Sequence, residues 1–199
     1  MVKRITIILL VFCIGNSYAQ NIYYFSSSTG NDSNIGNEAN PFQTTSKLNS
    51  LVLTAGDKIM FKKGDTFVGQ IIVSYSGNLG SPIIYDSYGT GDLPILTASN
   101  GSNGIADPLS TIKIIGKQYL EFHNLQIENE RFDTKSGVPD DTSYGIYYLS
   151  YKTVPVSGNP EDAVLTQNLK FTNLVVQNVY SLGSGGTNFD SIYNIFWRK

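Results

Sequence analysis

The sequence has little of what helical, disulfide-bonded or nucleic-acid-binding proteins depend on. Its 199 residues include one cysteine, one histidine, six Ala, five Glu and three Arg. Ala, Glu and Arg are strong helix formers, so their scarcity excludes a helical bundle. Charged residues make up 15% and the formal net charge is −2. Phosphate recognition needs a basic surface, so this balance excludes a nucleic-acid binder.

The abundant residues are those of strands and turns. The chain has 13 Tyr, 10 Phe, 19 Gly, 18 Asn, 21 Ser and 15 Thr. The hydrophobic share is 41%, which is enough to bury a core and excludes wholesale disorder. This composition predicts a β-rich, turn-rich chain that forms one globular domain.

The first nineteen residues have the order of a secretory signal peptide. Lys3 and Arg4 precede the apolar run 5–14, and small residues lead to a cleavage site after Ala19. The run is shorter than the roughly 20 residues that a spanning helix needs. We therefore predict a signal peptide over 1–19 and a secreted protein, extracellular, surface-bound or periplasmic, without a membrane span. The alternative is a buried N-terminal strand.

Residues 41–52 are predicted to form the one helix of the mature chain. Asn40 is a candidate N-cap, and Pro41 suits the first helical position. One face carries the apolar stripe Phe42, Thr45, Leu48 and Val52. A helix with a single apolar stripe packs against another part of the fold. Residues 20–56 are therefore expected to comprise an N-terminal strand, a turn-rich segment and this covering helix, and 57–199 the body of the fold.

Short strands with turn residues near most of their boundaries follow Gly56. The candidates are 58–61, 70–75, 82–85, 94–97, 111–115, 119–128, 145–149 and 168–178. No long helical period separates them, which excludes alternating βαβ architectures. A sandwich, a barrel or a β-solenoid remains.

An internal repeat decides between these architectures. Segment 119–129 aligns with 168–178 at a constant offset of 49 and shares Leu, Phe, Asn, Leu and a final Asn. Self-similarity at a fixed period is typical of stacked repeats. The sequence therefore favours the solenoid.

The repeat also predicts a bend in the chain. Leu120 and Phe122 share one face of a strand, but the next apolar pair begins three residues later and would face the opposite way on a straight strand. A corner at Asn124 would return both pairs to the same interior, and Asn tolerates the left-handed conformation that a corner needs. Asn173 repeats the pattern, so the two asparagines are expected to stack as a ladder.

Five N-terminal segments resemble a known group. They are YYFS at 23–26, GNDSNIG at 30–36, NPFQT at 40–44, GDKI at 56–59 and KGDTF at 63–67. They look like the N-terminal region of secreted bacterial right-handed parallel β-helix proteins of the pectate-lyase-like superfamily, a resemblance that spans about 22–185. It implies an all-β right-handed parallel β-helix whose first coil is capped by the 41–52 helix.

The resemblance also implies a chemistry. Enzymes of this group act on polysaccharides, either as lyases that place a Lys or Arg base beside Ca²⁺-binding carboxylates, or as hydrolases with paired carboxylic acids. Ca²⁺ is implied only in this way, because the residues themselves identify no cofactor. Only three or four coils fit into this length, and the last strand would expose unpaired backbone groups because 191–199 is not an obvious cap. The chain is therefore expected to be an N-terminal portion of a longer protein, or a truncated product, without the catalytic coils and catalytic residues.

Substrate-binding candidates come from two charged segments. Glu128, Glu130 and Arg131 belong to a charged cluster that follows a strand and would form either the lip of a sugar-binding groove or a solvated loop. Asp140 and Asp141 would form either a carboxylate pair or a turn, since adjacent side chains of a strand point in opposite directions.

Two further candidates are aromatic or titratable. Tyr147 lies in a tyrosine-rich strand, where its flat face would either meet a sugar ring or pack in the core. His123 aligns with Thr172, just before the predicted corner, which predicts an outward surface position and argues against a general base.

Two functions remain open at this point. One is a secreted polysaccharide-processing enzyme of the lyase or hydrolase kind, or its N-terminal piece. The other is a non-catalytic adhesion or glycan-binding module. Polysaccharide or cell-surface glycan is the expected partner of both.

Overall fold

The computed structural model describes residues 20–99, 108–129, 143–149 and 168–179. The predicted signal peptide lies outside this set. In chain order the elements are β1 (Ile22–Phe25), α1 (Thr45–Ser50), β2 (Lys58–Lys62), β3 (Thr66–Val68), β4 (Ile71–Val73), β5 (Ile83–Tyr88), β6 (Ile95–Thr97), β7 (Ser110–Ile115), β8 (Leu120–Glu128), β9 (Tyr144–Leu149) and β10 (Leu169–Gln177). The described chain is therefore mostly β.

The strands pair in parallel and form three ladders. The first ladder runs β1, β2, β5 and then the beginnings of β8 and β10. The second runs β3, β6 and then the later halves of β8 and β10. The third runs β4, β7 and β9. The chain visits the ladders in turn and adds one layer at each round, which is the topology of a β-helix-like solenoid and confirms the predicted parallel, all-β class.

The core is the space between the ladders. Alternate residues of each strand point into it, as the strand period requires. Leu120, Phe122, Leu125 and Ile127 are all completely buried, which confirms that the apolar pairs on either side of the corner share one interior. Aromatic rings continue this contact from layer to layer: Phe122 stacks on Tyr85 at 4.6 Å and on Phe171 at 5.5 Å between ring centroids.

The predicted corner and its ladder of side chains are present. Leu120 pairs with Leu169, so the 49-residue offset is the register of the β8–β10 pair. Asn124 and Asn173 have φ values of 52° and 51°, the left-handed conformation. The Asn173 Nδ2 donates to Asn124 Oδ1 at 2.8 Å, and the Asn124 Nδ2 donates to Asp86 Oδ1, also at 2.8 Å.

The helix is shorter than the predicted 41–52. It begins after Thr44, whose hydroxyl accepts from the Lys47 N–H at 3.1 Å, so Thr44 and not Asn40 is the N-cap. Phe42 is in a parallel bridge with Phe25, which keeps the preceding residues extended. Val52 follows the last turn and is 70% exposed, so its predicted place on the apolar stripe is wrong.

Side chains around α1 cover the free edges of β3 and β4. The Thr45 hydroxyl donates to the Val68 carbonyl at 2.9 Å. The Asn49 side chain accepts from the Ile72 N–H at 2.9 Å and donates to the Gln70 carbonyl at 2.8 Å. These bonds satisfy backbone groups that would attract another strand. The helix thus blocks this end of the solenoid despite its six residues.

Candidate functional site

The outer surface of β8 and β10 gathers polar side chains around the asparagine corner. Before the corner, Glu121 and His123 point away from the core; after it, Gln126 and Glu128 do so. All four are partly buried, because the neighbouring layers flank them. We call these four residues, together with Lys170 and Gln177 of β10, the outer polar face.

Glu121 is the centre of the group before the corner. His123 Nε2 lies 2.8 Å from Glu121 Oε2, and Lys170 Nζ approaches the same oxygen at 3.3 Å. Burial acts to raise the pKa of Glu121, but the hydrogen bonds from His123 and Lys170 outweigh it and bring the pKa below its usual value. The carboxylate therefore remains ionised at neutral pH, as a hydrogen-bond acceptor and not as a general acid.

Glu128 is the centre of the group after the corner. Its Oε1 accepts from Gln126 Nε2 at 2.6 Å and from Gln177 Nε2 at 2.7 Å. The group around Glu121 and the group around Glu128 thus each join β8 to β10 through side chains that are 49 positions apart. They present carboxylates, amides, an imidazole and an ammonium group to solvent, the donors and acceptors that hydroxyl-rich ligands require.

The other predicted site residues either lie outside the described residues or belong to another ladder. Glu130, Arg131, Asp140 and Asp141 lie outside the described residues. Tyr147 is on β9, in the third ladder, where it pairs with Lys113 and contacts Tyr144 at 5.6 Å between ring centroids. Its neighbours Ile146 and Tyr148 pack against the core, which leaves Tyr147 on the outer side.

Glu121 and Lys170 were not predicted from the sequence as site residues. The sequence nevertheless indicated their contact, because the 49-residue alignment places Glu121 directly opposite Lys170. His123 lies at the outer surface, as its alignment with Thr172 predicted. Its contact with Glu121 follows from their spacing of two along a strand, which puts both on one face.

Neither a metal site nor a spanning helix is found in the part of the chain that the structure describes. No three His, Cys, Asp or Glu side chains come together there in a way that could hold a metal ion. Over the same ranges, no helix is long and apolar enough to cross a membrane.

The chain is similar in sequence to one class of glycosidase. It is 26% identical to a lacto-N-biosidase of Bifidobacterium longum subsp. longum over 210 aligned positions, which take in 86% of this chain and 13% of the relative. The chain thus spans about an eighth of the length of the curated relative that it matches. No protein-family model matches the sequence.

Solved structures share the fold. A GH136 lacto-N-biosidase from Eubacterium ramulus superposes with a TM-score of 0.66 at 22% identity, covering 80% of this chain and 27% of that one. A rhamnogalacturonan lyase superposes with a TM-score of 0.56 at 21% identity, covering 79% of this chain and 36% of that one. These likenesses show the fold and agree with the β-helix group that the sequence resembles.

Proposed function

We propose that this chain belongs to a secreted, carbohydrate-active protein built on a right-handed parallel β-helix, and that its outer polar face binds glycan. The observation that carries the proposal is the sequence similarity to a lacto-N-biosidase over 86% of the chain. The three parallel ladders support the solenoid, and the paired carboxylate groups at the corner support a ligand rich in hydroxyls.

Within this proposal the described residues bind and other parts of the protein catalyse. Glycoside hydrolysis needs a protonated carboxylic acid beside a second carboxylate. Glu121 is unsuited to the acid's role because its pKa is lowered. The Glu121 carboxylate instead accepts hydrogen bonds from sugar hydroxyls, while the Lys170 ammonium group donates to ring or hydroxyl oxygens.

The test is a glycan titration of the full chain with two probes, lacto-N-biose and rhamnogalacturonan oligosaccharides. Calorimetry measures binding, and chromatography of the same mixtures measures turnover. We expect binding that weakens about tenfold, or about 1.4 kcal/mol, in E121Q and K170Q. K117Q, which removes a lysine that is not among the residues of this face, should bind like the unaltered chain. No binding and no turnover with either probe would contradict the proposal.

A non-catalytic glycan-binding module is the second candidate. The engagement of both Glu121 and Glu128 in fixed hydrogen bonds favours it for the described residues. It predicts that glycan is bound and recovered intact, whereas a hydrolase or lyase shortens it.

A further inference from the structure

A cleft lies beside the first ladder at the capped end of the solenoid, and it shares no lining residue with the outer polar face. It has a volume of about 380 Å³, towards the lower end of the roughly 300–1,000 Å³ of ligand pockets. Its polar and aromatic lining comes from Thr29, Glu38, Lys62, Tyr88 and Thr90. None of these residues is used by the proposed function.

Two rigid parts of the fold form the walls. On one side, Lys62 of β2 and Tyr88 of β5 are direct partners in the strand register, so their side chains stand next to each other. On the other side, the segment 36–42 is fastened to β1 by bonds from Tyr24 N–H to the Gly36 carbonyl and from Phe42 N–H to the Tyr24 carbonyl, at 2.8 and 2.9 Å. The cleft is therefore preformed.

Tyr88 gives the cleft an aromatic wall with a polar tip. Its ring packs edge-to-face with Tyr24 at 5.0 Å between centroids, which fixes its orientation. Burial, and then the negative charges of Asp65 and Glu38, raise the pKa of Tyr88 to about 12. The phenol therefore keeps its proton at neutral pH and can donate a hydrogen bond beside an apolar ring, the combination that suits a sugar.

The charges of the lining are balanced. Lys62 contributes one cation, and its Nζ lies 3.5 Å from the Thr29 hydroxyl. Glu38 contributes one anion, and the two threonines contribute neutral hydroxyl groups. A polyanion such as a uronate chain would meet Glu38 without a second cation to compensate, whereas a neutral saccharide would find donors and acceptors of both kinds.

From this arrangement we infer that the cleft lined by Lys62, Tyr88 and Glu38 binds a short neutral saccharide, as a site additional to the outer polar face. The class of ligand in this inference rests on the proposed function. The location of the site and its preference for an uncharged ligand rest on the cleft itself.

The experiment is an NMR titration of the isotope-labelled full chain with lacto-N-biose, a neutral disaccharide, and in parallel with digalacturonate, an acidic one. We expect shift changes at Tyr88 and Thr90 with the neutral probe. The affinity for it should fall at least tenfold in Y88A and about threefold in K62Q. K63Q, a change to the next lysine along the chain, which is not part of the lining, should leave it unchanged.

The outcomes separate the two proposals. Shift changes confined to Glu121, His123 and their neighbours would overturn the cleft and leave the proposed function standing. No change anywhere with either probe would overturn both. Tighter binding of digalacturonate would overturn the charge preference. If Y88A fails to fold, the affinities of K62Q and T90A for the neutral probe decide the question, because both variants change surface side chains.

Discussion

Two asparagines in the left-handed conformation allow the chain to turn while both halves of β8 and β10 keep their apolar side chains inside. The left-handed conformation is sterically unfavourable for any L-residue with a Cβ, and it is less unfavourable for Asn than for most residues. The side-chain amide of Asn124 also hydrogen-bonds to both neighbouring layers, to Asn173 on one side and to Asp86 on the other. One residue type therefore serves the bend and the stacking together.

Substitution of Asn124 separates these two roles. Asn124→Ala loses both side-chain bonds and keeps the strained backbone, and we expect the free energy of unfolding to fall by about 2 kcal/mol. Asn124→Gly loses the bonds but accepts the conformation freely, so about half that loss is expected. Chemical denaturation measures both. Equal losses in the two variants would contradict a left-handed residue at this corner.

Asp65 gives the fold a dependence on acidity. Its carboxylate accepts from the hydroxyls of Ser26 and Ser28, both at 2.7 Å. Burial acts to raise the pKa of Asp65, but these hydrogen bonds outweigh it, so the pKa lies below the ordinary 3.8. A lowered folded pKa stabilises the protein above the unfolded pKa, and this contribution is lost as pH falls through the folded value.

We therefore expect the stability of the protein to decline as pH falls from about 5 towards 2, and to decline less steeply in Asp65→Asn. Urea unfolding at a series of pH values measures the slope. Asp92→Asn, at an exposed position, should reproduce the slope of the unaltered protein. A D65N slope identical to that of the unaltered protein would show that Asp65 does not carry this effect.

At the residue scale, the sequence was most informative where the two-residue alternation of apolar side chains is interrupted and the interruption is repeated. The three-residue step after Phe122, repeated 49 positions later, determined where the corner asparagines would lie. The same offset places Lys170 opposite Glu121, but which side-chain atoms of Glu121, His123 and Lys170 meet depends on surface rotamers that an apolar period does not reveal. The predictions for Glu130, Arg131, Asp140 and Asp141 stay predictions.

At the scale of elements, the end of the solenoid nearest β1 is closed by two devices. Side chains around α1 satisfy the edges of β3 and β4, and the segment 36–42 adds backbone bonds along β1. Gly36 is the tight point of that segment: its φ is 78°, and an added Cβ would lie 2.2 Å from the Phe42 ring.

Gly36→Ala should therefore loosen the cap. Gly64 is the matched control, because its φ of 81° is nearly the same and an added Cβ meets nothing within 4 Å. Gly64→Ala should cost about 1 kcal/mol from backbone strain, and Gly36→Ala about 3 kcal/mol from strain and crowding together. Thermal and chemical unfolding compare the two. A Gly36→Ala loss no greater than that of Gly64→Ala would mean that this close contact is absent.

Element boundaries were predictable where apolar residues alternate and less so where the tertiary structure decides. All eight strand candidates after Gly56 contain a strand, with ends that shift by up to three residues. β3 was missed because three residues between two glycine turns carry too little pattern. The helix began late because Phe42 joins Phe25 in a bridge, a contact between distant segments that local capping signals do not reveal.

At the scale of the whole molecule, the stacking of layers brings together the side chains of the candidate site. Glu121 meets Lys170, and Glu128 meets Gln177, only because one layer lies above another at an offset of 49. The apolar repeat that builds the core thus also places polar side chains in columns on the outside. A protein that extends the same solenoid would extend those columns.

Disulfide trapping of stacked positions tests this account most directly. In a Cys13→Ser background, His123→Cys combined with Thr172→Cys places two thiols on adjacent parallel strands, which are about 4.8 Å apart and within reach of a disulfide. The control combines His123→Cys with Gln177→Cys, five residues further along and past the corner. Mass spectrometry without reductant should find the first pair closed within one chain and the control open. Equal closure of the two pairs, or disulfides only between chains, would contradict the stacked solenoid.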